Sequence, residues 1–210
     1  MNRRAMTYRS RILPAFALAV ALSLATTACG SSDSARQQET APLAGAAIGG
    51  PFTLVDKDGR TVRWQDFDGK YRIVYFGYTF CPDVCPLDVA TMMQGFAKFE
   101  KARPVLAKQV QPIFISIDPA RDTPAVVGEF AAAFSPKLLG LTGTTAQVDQ
   151  AAKAFRIYYA KGQQSAGGYL MDHSRMTYLM GRKGEPIAML PTDKDADAVA
   201  AELEKWIRPG

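Results

Sequence analysis

Two short runs constrain this chain most: Ile73-Val74-Tyr75-Phe76 and Ile113-Phe114-Ile115-Ser116-Ile117. Both are apolar at successive positions and rich in β-branched and aromatic side chains. That pattern belongs to strands covered on both faces, as in a sheet packed between helices. Each run is followed by a proline-marked helix start. Pro86 follows the first; Thr123-Pro124, an N-cap and first-turn pair, follows the second. In the first helix, Leu87, Ala90, Met93 and Ala97 recur at helical spacing and predict its inner face, with Pro104 as its end. The second helix runs through Phe134 and stops before Pro136. Thr144 or Thr145 caps a third, which reaches about Phe155. Tyr169-Leu170 and Met176 to Met180 read as strands. The latter turns through Gly181-Arg182-Lys183-Gly184 into a partner at Ile187 to Leu190. A last helix from about Asp195 places Val199, Leu203 and Trp206 on one face. Ahead of all this, Phe52 to Val55 and Thr61-Val62 flank an Asp/Gly turn and predict a hairpin. The sum is an α/β fold, a mixed central sheet flanked by helices with an N-terminal β-hairpin. In such sheets chemistry gathers where a strand ends and a helix begins. Residues 78–86 form such a junction.

The first 50 residues have a different character. Arg3, Arg4, Arg9 and Arg11 precede an almost wholly apolar stretch from Ile12 to Ala25, which is short for a membrane span of about 20 residues. Ala25-Thr26-Thr27-Ala28 and then Cys29 follow, an order that resembles a lipoprotein signal, in which the cysteine is lipidated and becomes the first residue. Thr26 stands where such signals usually carry Leu, so plain secretion and an uncleaved anchor remain alternatives; all three export the chain. Gly30 to Gly50 holds mostly small and polar residues, with Leu43 and Ile48 its only large apolar ones, and reads as a tether. The expected organisation is a signal at 1–28, a flexible tether at 29–49 and one folded domain at 50–210. The location of the basic residues matters here. The chain has 25 Lys and Arg against 20 Asp and Glu, a formal charge of +5. Four of those 25 lie in residues 1–28, which hold no acid, so 21 against 20 remain beyond them. No dense basic run with interleaved aromatics follows Cys29, and nothing supports a nucleic-acid partner. A hydrophobic fraction of 48% excludes a disordered chain.

The junction reads Gly77-Tyr78-Thr79-Phe80-Cys81-Pro82-Asp83-Val84-Cys85-Pro86. Cysteines four apart at a helix start bring both sulfurs to one side of a turn, and free N–H groups there favour thiolate. Three readings fit the spacing: a structural disulfide, a redox-active pair, or two soft metal ligands. The single histidine, His173, lies in Asp172-His173-Ser174, expected in a turn between strands. A lone histidine is more often structural than a ligand. With two thiolates it makes a three-donor set, too small for a closed structural zinc site and better suited to copper(I). Asp118 and Asp122 read as loop-shaping and helix-capping residues, and Tyr78 and Phe80 as flanking the junction.

Three segments together carry a family resemblance. Tyr75 to Pro86, Ser116-Ile117-Asp118-Pro119-Ala120-Arg121-Asp122-Thr123-Pro124 and Tyr169-Leu170-Met171-Asp172-His173-Ser174 resemble the signatures of the Sco/SenC copper chaperones, and Leu141-Thr142-Gly143 matches a further family segment. They occur in family order over most of residues 50–190. The resemblance implies a thioredoxin-like fold, exported and membrane-tethered, on the extracytoplasmic side of the cell membrane, with Cys29 as the lipid anchor. It implies a copper ion bound by Cys81, Cys85 and His173. It also implies a role in assembling the copper centre of cytochrome c oxidase, with the oxidase's copper-receiving subunit and a thiol reductant protein as partners. The alternative role is a thiol–disulfide oxidoreductase that reduces the cysteines of the oxidase copper site through Cys81 and Cys85.

Overall fold

The computed structural model describes residues 39–164 and 168–209. Its centre is β3 (Tyr71–Gly77), buried at every position. It pairs in parallel with β4 (Val110–Ser116), which pairs in parallel with β5 (Leu139–Leu141). On the other side β3 pairs antiparallel with β8 (Thr177–Met180), and β8 with β9 (Pro186–Met189). The sheet order β5-β4-β3-β8-β9 is the mixed sheet that the two apolar runs predict. The hairpin of β1 (Thr53–Val55) and β2 (Thr61–Arg63) is tied to the end of β5 through Val55 and Thr142, and a small pair, β6 (Tyr159–Lys161) with β7 (Met171–His173), forms a sheet of its own.

The helices start where side chains can take their first free N–H groups. Thr123 accepts from Val126 N–H ahead of α3 (Pro124–Phe134), Thr144 from Gln147 N–H ahead of α4 (Thr145–Ala154), and Asp195 from Ala198 N–H ahead of α5 (Ala196–Trp206). The long helix α1 (Val84–Ala102) has no such cap from Asp83. A single turn, α2 (Pro104–Ala107), links it to β4.

Four features depart from expectation. The inner face of α1 runs through Cys85, Val89, Met92, Met93, Phe96 and Phe99; Met93 is buried as expected, while Leu87 and Ala97 are exposed, because the burial of Cys85 and Asp88 rotates the face away from the purely apolar pattern. The strand expected at Tyr169-Leu170 begins instead at Met171, and His173 ends it rather than sitting in a turn. Neither β5 nor β6 was anticipated, since three residues carry too little periodicity. Last, the segment from Glu39 to Gly49 belongs to the compact unit that starts at Glu39. Leu43 N–H donates to Ile187 O (3.0 Å), Gly49 N–H to Ala154 O (2.9 Å) and Arg156 Nε to Ala47 O (3.0 Å). Small residues let this backbone lie close, and Leu43 and Ile48 half-bury against the core. Residues 1–38, which hold the expected signal, Cys29 and the first part of the expected tether, lie outside the described residues. Among the described residues no helix is long and apolar enough to cross a membrane.

Arg72 is the unexpected member of the buried strand. Its guanidinium lies over the Trp64 ring (4.5 Å), donates to Gly181 O (2.7 Å) and pairs with Asp68 (2.8 Å). It stitches β3 to the turn after β8. Arg72→Ala would remove a fully buried side chain and its charge-assisted bond to the Gly181 carbonyl, which would keep only the Gly184 N–H, a loss of roughly 3 kcal/mol. A urea titration should show that loss as a lowered midpoint with an unchanged slope.

Candidate metal centre

The functional side chains meet at the C-terminal end of β3. The chain leaves Gly77, crosses through Tyr78 to Asp83 and enters α1. Cys81 is half-buried in the crossing, and Cys85, in the first turn of α1, is fully buried. Neither is in a disulfide. Cys85 N–H donates to Cys81 Sγ (3.4 Å), so a sulfur takes the capping place that the Asp83 side chain leaves open. Gly77 is required by close approach: a Cβ there would lie 2.8 Å from Tyr75 Cε1 and 3.2 Å from Cys85 Sγ.

His173 arrives from the other direction, at the end of β7. Its Nε2 is 3.2 Å from Cys85 Sγ and its Nδ1 is 3.0 Å from Ser174 O. A carbonyl only accepts, so Nδ1 carries the proton and Nε2 presents a lone pair to the sulfur. Tyr75 and Tyr78 stand edge-on to the imidazole at 6.4 and 6.0 Å and shield it from solvent. The imidazole thus meets one sulfur, whose own residue's N–H meets the other. Among the described residues, no three His, Cys, Asp or Glu side chains are gathered as a ready-made cation cage. What is assembled is a thiol–imidazole contact with a second sulfur against the helix start. Two sulfurs and an unprotonated ring nitrogen are donors that suit a soft ion such as copper(I).

The two thiols differ in acidity. Burial raises Cys81, but N–H groups of Asp83 and Cys85 and the side chains of Cys85 and Tyr78 donate to its sulfur and bring it below the usual thiol range. Burial pushes Cys85 up to about 12, helped by the neighbouring Cys81 sulfur and opposed by the Tyr78 backbone. Burial also lowers His173, against the pull of the Ser174 carbonyl, so the imidazole is neutral at pH 7.

Charged residues outside the expected set hold this arrangement. Asp88 is buried one turn after Cys85, accepts from Tyr75 OH (3.1 Å) and forms a two-pronged pair with Arg175 (2.7 and 3.0 Å). Arg175 lies two residues past His173, so the pair ties the histidine's exit to the cysteine helix. Asp122 accepts from Thr79 N–H (3.0 Å), Thr79 Oγ1 (2.6 Å) and Ser116 Oγ (2.5 Å), fixing the start of the crossing to the end of β4. Burial raises its carboxyl despite these donors. Asp118 holds Arg121 and Tyr169. Asp118 and Asp122 therefore shape loops, while Thr123 does the capping. Phe80 is exposed on the rim, whereas Tyr78 is buried. For Asp88 and Arg175 the available sequence signal is position: Asp88 falls on the face of Cys85, and Arg175 follows His173 at a distance of two.

The family model described as SCO1/SenC matches residues 40–208. The chain belongs to the SCO1/SenC family. Among similar proteins, protein SenC of Rhodobacter capsulatus is 43% identical over 174 residues, covering 80% of this chain and 76% of that protein. Protein SCO1 homolog 1, mitochondrial, of Arabidopsis thaliana is 39% identical over 168 residues, covering 80% of this chain and 49% of its own length. The chain spans about half the length of that relative. Among solved structures, copper-bound ScoI of Arabidopsis thaliana superposes with a TM-score of 0.71 at 37% identity, covering 75% of this chain and 96% of that one. Copper-bound yeast Sco1 gives 0.68 at 35% identity, covering 76% and 88%. The thioredoxin-like fold expected from the resemblance is borne out by these neighbours and by the mixed sheet.

The asymmetry of the two thiols gives a direct expectation. A brief iodoacetamide pulse at pH 7 should label Cys81 well before Cys85, with the Cys81 rate levelling off below pH 8.5, the ordinary thiol value being about 8.5. Peptide mass spectrometry reads both sites.

Proposed function

We propose that this chain is a copper-binding assembly factor that serves cytochrome c oxidase. It holds its cargo through Cys81, Cys85 and His173 and passes it to the oxidase subunit that receives copper. The observation that carries this reading is the placement of the unprotonated His173 Nε2 at 3.2 Å from Cys85 Sγ, beside the second free cysteine. Plain dithiol exchange has no need of an imidazole there. The copper-bound structures among the relatives support the choice of metal, and the family resemblance supports the destination. Export follows from the expected signal. Residues 1–28 would be removed and Cys29 lipidated, leaving the domain outside the cytoplasm at the cell membrane.

The chemistry follows from the two thiols. Cys81, the more acidic and more accessible, meets the ion first as thiolate. Cys85 must then lose its proton to solvent as its sulfur becomes a ligand, while His173 Nε2 keeps its lone pair for the ion. Binding therefore releases protons, and affinity rises with pH as long as Cys85 is protonated in the unloaded chain. Delivery runs in reverse: thiolates of the receiving protein displace the ligands and Cys85 takes back a proton. Oxidation of the pair to a disulfide would remove two donors at once, so a thiol reductant partner belongs to this reading.

A second reading rests on the same asymmetry. Cys81 thiolate could attack a disulfide in the oxidase copper site, forming a mixed disulfide and freeing one target thiolate. Cys85 would then give its proton to solvent, attack Cys81 sulfur and free the second. The target gains two electrons and this chain's dithiol becomes its disulfide.

Copper titration of the reduced full-length protein separates them. Cys81→Ser, Cys85→Ser and His173→Ala should each weaken binding by more than the roughly 10–100-fold typical of residues one step removed from the metal. Wild-type affinity in both His173→Ala and Cys81→Ser would sink the ligand assignment. A cell in which His173→Ala fully restores oxidase assembly would favour the oxidoreductase.

A further inference from the structure

Arg121 stands outside the set of ligands yet touches every segment that carries one side of the site. Its Nε donates to Asp118 (2.5 Å) and its Nη1 to Tyr169 O (2.9 Å). Tyr169 OH returns a hydrogen bond to Asp118 (2.8 Å), closing a three-residue circuit. The guanidinium also lies 3.7 Å from the centroid of the Tyr169 ring, 4.9 Å from that of Phe80 and 5.7 Å from that of Tyr78. Phe80 immediately precedes Cys81. Tyr169 leads into β7, which ends at His173. One flat cation therefore bears on the cysteine crossing and on the approach to the histidine, while Asp118 fixes it to the end of β4.

The approach to His173 is also held by Lys161 over the Tyr169 ring (3.9 Å) and by Met171, which is buried in the core. β6 and β7 are three residues each and pair only with one another, so their placement over Cys85 depends on contacts from outside. On the exit side the Arg175–Asp88 pair supplies such a contact. On the entry side Arg121 supplies it, through a charge-assisted hydrogen bond to Asp118, a hydrogen bond to a backbone carbonyl and a stacked ring.

We propose that Arg121 is a positioning residue for His173, holding β7 against the cysteine crossing so that Nε2 stands at Cys85 Sγ. The proposal rests on the copper-ligand reading for its functional consequence, and its structural half is tested without metal. In the reduced, metal-free full-length protein, hydrogen exchange should be followed at Gly162 and Ser174, whose amides donate to Leu170 O and Tyr158 O. Arg121→Ala should speed exchange at both by about tenfold while leaving the amides of β3 unchanged. Copper affinity should fall by about tenfold in Arg121→Ala, and the same substitution should cost nothing further in a His173→Ala background. A merely structural role would lower affinity equally in both backgrounds. Arg121→Lys keeps the charge beside Asp118 but loses the planar fork. It should shift both readouts in the same direction, and it decides the matter if Arg121→Ala fails to fold. Unchanged exchange at Gly162 and Ser174, or equal affinity losses with and without His173, would overturn the proposal. If the wild-type protein takes up no copper, the proposed function fails, and the exchange data alone decide the role of Arg121.

Discussion

The burial of β3 along its whole length is the constraint from which the site is built. A strand covered on both faces cannot drift in register, because a shift of one residue would turn every side chain to the wrong layer. Its seven positions therefore fix where Gly77 ends, where the crossing begins and where α1 must start. Arg72 is buried within this strand and is matched by the Trp64 ring, Asp68 and the Gly181 carbonyl. Such a match is satisfied in one arrangement only, so it locks the strand against the turn that follows β8.

From that fixed end, two independent elements bring opposite chemical characters together. The start of α1 offers N–H groups that stabilise a sulfur anion at Cys81. The end of β7 offers a neutral imidazole whose proton is held on Nδ1 by its own neighbour's carbonyl. Cys85 lies between them, buried and protonated, with the Cys81 sulfur on one side and the imidazole on the other. Two sulfurs of the same residue type, four positions apart, thus differ in acidity because one caps a helix and the other is enclosed by it.

Much of this was legible in the sequence, for identifiable reasons. β3 and β4 declared themselves because both of their faces are apolar, and α3, α4 and α5 because Thr123, Thr144 and Asp195 are capping residues. The cysteines and His173 were legible as residue types with few other uses. The face of α1 was misread because Asp88 is buried for the sake of Arg175 and Tyr75, a reason that lies 87 residues away for the arginine. β6 and β7 were invisible or misplaced because what holds them is tertiary. The contacts of Arg121 leave no local trace, since the carbonyl it reaches is 48 residues distant. The segment before Gly50 read as tether because small residues have weak patterns, yet small residues are what let its backbone lie against Ile187 and Ala154.

Gly77 carries a consequence of a different kind. A strand interior takes alanine without difficulty, and most of β3 would remain buried and paired if Gly77 gained a methyl group. The atoms that would have to yield are the Tyr75 ring, the Cys85 sulfur and the Phe114 ring of β4. Tyr75 in turn steadies Asp88, and Cys85 meets His173. The missing side chain is therefore a gauge that sets the width of the site where it meets the core. Any heavier residue inherited at this position would press on the thiol pocket and on the sheet at once.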